Sequence, residues 1–139
     1  DFNNDRVLEL SLGETAATER LSQSPLSSPS DIALDGNGNL FIANSGPNQV
    51  LELTPRAVVP TELAVSQLSV PTGLAVDSTG TVYVSDDFNR VVKFNPQTGE
   101  QFDLPFTGLS SPGGVAVDAD GNVYVADGDN KRVVKLPAA

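Results

Sequence analysis

The sequence predicts an all-β fold, a β-propeller built from four-stranded antiparallel blades of about 42 residues each. Three observations predict it. A segment opening on proline recurs as Ser28–Asp35, Val70–Asp77 and Ser111–Asp118, with Pro29, Pro71 and Pro112 spaced 42 and 41 residues apart. Each copy is followed by a turn rich in Gly, Asn and Asp and then by a second apolar run. No stretch of ten residues keeps helical periodicity, whereas short β-branched and aromatic runs bounded by turn residues read as strands.

Strand one of each blade is Ile32-Ala33-Leu34, Leu74-Ala75-Val76 or Val115-Ala116-Val117. Both of its faces are apolar, so both are expected to be buried between stacked sheets. Ala33, Ala75 and Ala116 are assigned the small side of that contact, where the next blade approaches; Ala116→Leu is then expected to cost about 1–3 kcal/mol by overpacking. The turns Asp35–Asn39, Asp77–Gly80 and Asp118–Asn122 carry hairpin chemistry, with Gly and Asn supplying positive φ. Strand two is Leu40–Asn44, Val82–Asp86 and Val123–Asp127. Strand three occurs four times, as Arg6–Leu10, Gln49–Leu53, Arg90–Phe94 and Arg132–Leu136, and its mixed charge places it toward the rim. A poorly matched strand four is expected around Ala17–Leu21, Thr61–Val65 and Gln101–Leu104.

These runs make thirteen strands in one domain, residues 1–139: a partial blade over 1–27, blades over 28–69 and 70–110, and a last blade over 111–139 that lacks its fourth strand. Three blades do not close a ring. The chain opens where a strand two would have ended and stops after a strand three, so both ends carry exposed edges. Either another chain completes the ring, a second propeller half or a homo-oligomer partner, or residues upstream of Asp1 have been lost. The absence of Met, with Asp at position 1, favours a processed, excised or truncated piece.

Composition narrows the chemistry. Eighteen acids against eight bases leave a net charge of −10. That field repels phosphate backbones and anionic lipid, so neither nucleic acid nor membrane insertion by this segment is expected. No apolar run reaches the length of a membrane span, and no signal peptide is read within the chain. With no Cys and no His, disulfides, thiol nucleophiles and His-based acid–base or metal mechanisms are excluded within it. No phosphate loop and no Gly-x-Ser-x-Gly elbow is present. No catalytic residue, metal or cofactor is assigned.

Two acidic segments, Asp118–Asn122 and Asp127–Asn130, lack the ligand spacing of a calcium loop and read as hairpin turns. The acid after strand two recurs with the arginine opening strand three: Asp1 with Arg6, Asp86 with Arg90, Asp127 with Arg132. These pairs are read as structural, bonding within or between blades, or with the Asp capping its own loop. Phe2 and Phe88 occupy matching places in Asp-Phe-Asn loops, with Pro47 at the comparable site of another copy. In a meander the loops from strand two to three and from four to one emerge on one face, and an exposed loop aromatic there is a contact residue. The candidate ligand surface is therefore Phe88, Asp87, Asn89, Asp129 and Asn130.

The runs Pro-x-Gly-[Val/Leu]-Ala-Val-Asp, Gly-[Thr/Asn]-Val-Tyr-Val-[Ser/Ala]-Asp and Asn-x-Arg-Val-Val-Lys resemble the NHL repeat over essentially the whole chain. Leu104–Leu109 and Arg132–Leu136 are similar in particular to the extracellular sensor domain of a mycobacterial receptor serine/threonine kinase, and to designed symmetric propellers. The resemblance implies a six-bladed ring and an extracellular or cell-envelope setting. It also implies a non-catalytic module that binds a small ligand or a protein. Gln49, Asn44 and Ser30-Asp31 depart from the repeat pattern, which marks the first full blade as divergent at its contacts. Two other readings stand beside this one. In a propeller lyase or lactonase, Asp31 or a similar inward carboxylate would ligate a cation; in a self-assembling or engineered fragment there would be no ligand.

Overall fold

Thirteen strands form among the described residues, in the order the repeats require. The computed structural model describes residues 1–22 and 25–139; Gln23 and Ser24, within the expected partial blade 1–27, lie outside the described residues. A single 3₁₀ turn, Phe2–Asn4, precedes β1 (Arg6–Glu9) and β2 (Thr18–Ser22), which pair as a two-stranded sheet. Blade 1 is β3 (Pro29–Leu34), β4 (Leu40–Asn44), β5 (Gln49–Leu53) and β6 (Thr61–Glu62). Blade 2 repeats it as β7 (Pro71–Val76), β8 (Val82–Asp86), β9 (Arg90–Phe94) and β10 (Gln101–Asp103). Blade 3 is three strands, β11 (Pro112–Val117), β12 (Val123–Asp127) and β13 (Arg132–Leu136). Every pairing is antiparallel between sequence neighbours, so each sheet is a simple meander.

The proline opening strand one has a structural consequence. In all three blades the register slips after it: Pro29 faces Asn44 but Asp31 faces Ala43, and Pro71 faces Asp86 but Gly73 faces Ser85. Blade 3 shows the same irregularity between Pro112 and Val115. Proline has no N–H to give the ladder, so a bulge there is inexpensive.

The core lies between sheets rather than within one. Phe41, Ala43 and Val50 on the leading face of blade 1 pack against Leu74, Val82, Val84, Val92 and Phe94 on the trailing face of blade 2. Ala75, Tyr83 and Val91 then pack against Val115, Val123 and Val125 of blade 3. Val7 and Leu21, with Leu26, cover Leu40, Ile42, Leu51 and Leu53. β3, β7 and β11 lie side by side at the inner end of the stack.

Three expectations are corrected here. Burial of both faces of strand one holds only for β7, which has a blade on each side. In β3 the trailing residues Ile32 and Leu34 are exposed, because β1 and β2 cover only the outer half of that face. In β11, Ala116 is exposed because nothing in the described chain packs on the leading face of blade 3, so Ala116→Leu cannot overpack it. Finally, strand four is shorter than expected. β6 stops at Glu62 and β10 at Asp103, and Leu63 turns inward into the core while Leu104 packs half-buried against it.

Hydroxyls tie the inner strands together. Ser30 and Ser45 donate from Oγ to the Pro71 carbonyl at 2.6 Å each, Thr72 donates to the Pro112 carbonyl at 2.6 Å, and Ser85 to the Gly113 carbonyl at 2.5 Å. At the step occupied by Gly73 the blades approach so closely that a Cβ would meet the Gly113 carbonyl and the Ser85 hydroxyl.

Candidate recognition face

The candidate residues sit where the chain passes from strand two to strand three. What fixes those loops is the acid ending strand two. Asp86 is fully buried and accepts from the Phe88 N–H (3.1 Å), the Ser69 N–H (3.3 Å) and Arg90 Nε (3.2 Å). Arg90 in turn reaches Asp103 at 3.1 Å through Nη1 and the Gln67 carbonyl at 2.6 Å through Nη2. Although burial disfavours the charge, the bonds to Asp86 and Asp103 raise the Arg90 pKa further. One buried carboxylate thereby joins a loop, the next strand and the linker from strand four.

Blade 3 repeats the node. Asp127 is buried and accepts from the Ser110 N–H (2.7 Å), Arg132 Nε (2.6 Å) and Asn130 Nδ2 (2.9 Å). Burial works against its charge, but these donors, the Ser110 N–H first, lower its pKa. Arg6 and Asp1 make the equivalent contact at 2.7 Å on the exposed N-terminal loop. Blade 1, which departs from the charged pattern, keeps the geometry with neutral groups. Asn44 Nδ2 donates to Gln49 Oε1 at 2.9 Å and to the Pro25 carbonyl at 3.0 Å, while the Ser27 N–H donates to Asn44 Oδ1 at 2.8 Å.

Asn89 and Asn130 belong to this framework. Asn89, in the left-handed region at φ 57°, accepts the Ser111 N–H on Oδ1 at 3.0 Å; Asn48 does the same for Val70 at 2.7 Å, and Asp5 for Ser28 at 2.6 Å. Asn130 donates to Asp127 and to the Gly108 carbonyl, both at 2.9 Å. Asp129 accepts the Ser110 hydroxyl at 3.0 Å and stays exposed. Asp87 and Phe88 project outward. Phe88 is 63% exposed, with the Arg90 guanidinium 5.3 Å from its ring centroid. The Asp87 N–H bonds to the Ser69 carbonyl (2.8 Å) and the Asp129 N–H to the Ser110 carbonyl (3.1 Å), so the two classes of loop share one end of the stack. The structure thus brings all five candidate residues to the surface on adjacent blades, with the side chains of Asn89 and Asn130 also engaged as loop ties. The sequence carried a signal for Asn89: it lies 41 residues after Asn48, and each precedes the residue whose N–H it accepts by 22 residues.

The acidic turns are occupied by their own backbone. Asp118 Oδ1 accepts the Asp120 and Asn122 N–H groups, and Oδ2 accepts Asn122 Nδ2 and the Tyr124 hydroxyl. The Asn122 side chain leads these donors in holding the Asp118 pKa down at about 2. Asp31, the carboxylate singled out for a cation, spans two blades instead, accepting the Leu74 N–H at 2.8 Å and the Ile32 N–H at 2.9 Å.

Two cavities lie away from the Asp87–Asn89 and Asp129–Asn130 loops. A groove of about 380 Å³ is lined by Val7, Leu8, Ile32, Leu34 and Leu40 on the trailing side of blade 1. A polar cleft of about 390 Å³ opens between the turns at Asp35–Asn39 and Ser78–Gly80, with Glu52 in its wall. Burial, then the Asp35 charge, raises the Glu52 pKa.

Comparison with solved structures agrees with this geometry. A streptogramin B lyase superimposes with a TM-score of 0.77 at 16% identity, over 99% of this chain and 49% of the lyase. A chain of a nidogen/laminin complex gives 0.81 at 20% identity, over 95% of this chain and 53% of that one. Virginiamycin B lyase from Staphylococcus aureus gives 0.73 at 16% identity, over 99% and 50%. The chain is a partial β-propeller. It spans about half the length of the structures it matches, and identities this low speak for the fold alone. Residues 109–136 of the propeller, from the linker before β11 through β13, match the family model of the NHL repeat. No curated protein sequence matches the chain.

Proposed function

We propose that this propeller segment is a non-catalytic recognition module that binds a small ligand or a protein through the loop face bearing Asp87, Phe88 and Asp129. The observation that carries this reading is the mounting of Phe88. Its ring is exposed yet backed by Arg90, which is itself fixed by Asp86, Asp103 and the Gln67 carbonyl. An aromatic held this way loses little freedom on binding, which is the property of an interface anchor. By its resemblance to sensor propellers the module belongs outside the cell, in a receptor serine/threonine kinase or a similar envelope protein, with any catalytic domain elsewhere. The presence of a nidogen/laminin complex among the structural neighbours supports a protein partner.

The lyases among the neighbours support a second reading. Against it stands the composition: one neighbour is a catalytically inactive histidine-to-alanine variant of virginiamycin B lyase with quinupristin, and this chain has no histidine. Metal analysis by mass spectrometry after mild purification decides the cation-dependent form of that reading; a stoichiometric divalent cation revives it and an empty protein retires it.

The recognition face is tested by panning a displayed peptide library on the full chain and on the double variant Phe88→Ala/Asp129→Asn. Enrichment on the parent that disappears with the double variant, at an unchanged melting temperature, is the expected result. Equal enrichment on both removes this face from consideration.

A further inference from the structure

Four leucine or isoleucine side chains are exposed on one side of the N-terminal end: Leu8 at 39%, Leu10 at 62%, Ile32 at 50% and Leu34 at 66%. Their counterparts in blade 2 are buried or half-buried. Val92 and Phe94 stand where Leu8 and Leu10 do, and Leu74 and Val76 stand where Ile32 and Leu34 do; all four pack on the leading face of blade 1. β1 pairs only with β2 among the described residues, so its inner edge is unpaired, and the groove of about 380 Å³ runs along it. At the opposite end of the stack, the leading face of blade 3 leaves Ala116, Ala126 and Val133 exposed.

We propose that a second copy of this chain fills the groove: β11 and β12 of one copy pair along the free inner edge of β1 of the other, and β13 gives up its place to β1. The two strands are alternatives for one slot, since Arg6-Val7-Leu8-Glu9-Leu10 and Arg132-Val133-Val134-Lys135-Leu136 occupy the same step of the repeat. The register of β12 on β13 transfers directly. Asp127, which faces Arg132, then faces Arg6; Ala126 faces Val7, Val125 faces Leu8 and Val123 faces Leu10.

Three physical consequences favour the exchange. The buried carboxylate of Asp127 keeps an arginine, and the two charges that lose a partner, Asp1 and Arg132, belong to exposed residues. β1 brings β2 with it, giving a four-stranded blade where β13 offers only three strands, and removing the open edges of both. The exposed apolar residues are covered, Ile32 and Leu34 by Ala116 and Ala126 of the second copy, Leu8 and Leu10 by its blade 2. The contact is made twice about a two-fold axis, so it closes. It uses neither Asp87 nor Phe88, but it reroutes the loop between β12 and β13 that carries Asp129, so only the Asp87–Phe88 part of the recognition face is untouched by it.

The test is the mass of the full chain by light scattering on a sizing column at about 0.15 M salt, where the −10 charges are screened beyond about 8 Å. The expected mass is twice 14.5 kDa. Leu34→Glu, a change at an already exposed position, is expected to return the mass to 14.5 kDa without loss of β structure by circular dichroism. Because the chain has no cysteine, the variant Val7→Cys/Ala126→Cys reports the register, and a disulfide-linked dimer on a non-reducing gel is expected. A monomeric parent overturns the proposal. So does a dimer that survives Leu34→Glu, or one in which the two cysteines fail to link.

Discussion

Asn44 donates its side-chain amide to Gln49 at 2.9 Å, at the same two steps of the repeat where Asp86 takes Arg90. The neutral pair preserves what the charged pair does. Each anchors the end of the linker from strand four through a backbone N–H, Ser27 in one case and Ser69 in the other. A buried ion pair and a buried amide pair are therefore interchangeable solutions to one packing problem in this chain, in line with the small net worth of many buried salt bridges.

That equivalence makes a prediction for blade 2. Asp86→Asn alone leaves Arg90 with only the exposed Asp103 as a carboxylate partner and is expected to cost about 2 kcal/mol in urea unfolding. Adding Arg90→Gln converts the node to the blade 1 form and is expected to recover about half of that loss. If the two single losses add in the double variant, the node does not act as a unit.

The alanine of strand one gives a prediction that depends on place. Ala75 is buried between blades 2 and 3, and Ala75→Leu is expected to cost about 1–3 kcal/mol by overpacking. Ala116 holds the same step on a face left open within one chain, so in the Leu34→Glu background, where no second copy covers it, Ala116→Leu is expected to stay within about 0.5 kcal/mol. Melting curves of the two variants side by side decide it; equal losses would mean that the leading face of blade 3 is covered.

Val70 offers a stabilising change. It begins blade 2 at φ 44°, a left-handed conformation that Ser28 and Ser111 adopt at the same step. For a β-branched residue that region is strained. Val70→Asn keeps the N–H that bonds Asn48 and is expected to add about 1 kcal/mol, read as a higher urea midpoint. A lower midpoint would mean that the partly exposed valine side chain contributes more than its backbone costs.

The strands, their order and the packing direction of Ala33 and Ala75 were legible in the sequence because each follows from a period of two within a period of about 42. The exposure of Ile32, Leu34 and Ala116 was not, since residue type reports what a position suits and not whether a neighbour is there to cover it. Asn89 and Asn130 read as ligand groups because loop asparagines are polar and turn-forming; only the left-handed backbone of Asn89 and the hydrogen bonds of both side chains to neighbouring loops show them as ties. The inter-blade hydroxyls of Ser30 and Thr72 carry one sequence signal, a position directly after the strand-opening proline, which by itself does not say that the bond crosses to the next blade.

Asp118 gives the pH dependence its sign. The Asn122 side chain, then the backbone of the turn and the Tyr124 hydroxyl, hold its folded pKa at about 2 against some desolvation, below an unfolded value of about 3.9. A carboxylate depressed on folding stabilises the protein above its unfolded pKa and loses that contribution as pH falls through the folded one. Asp118→Asn is therefore expected to melt below the parent at neutral pH. The gap should close progressively as pH falls from about 4 to about 2. Asp35 and Asp77, also lowered by turn hydrogen bonds, titrate in both proteins and cancel in the comparison. A gap that stays constant across that range would assign the effect of Asp118 to the shape of the turn and not to its charge.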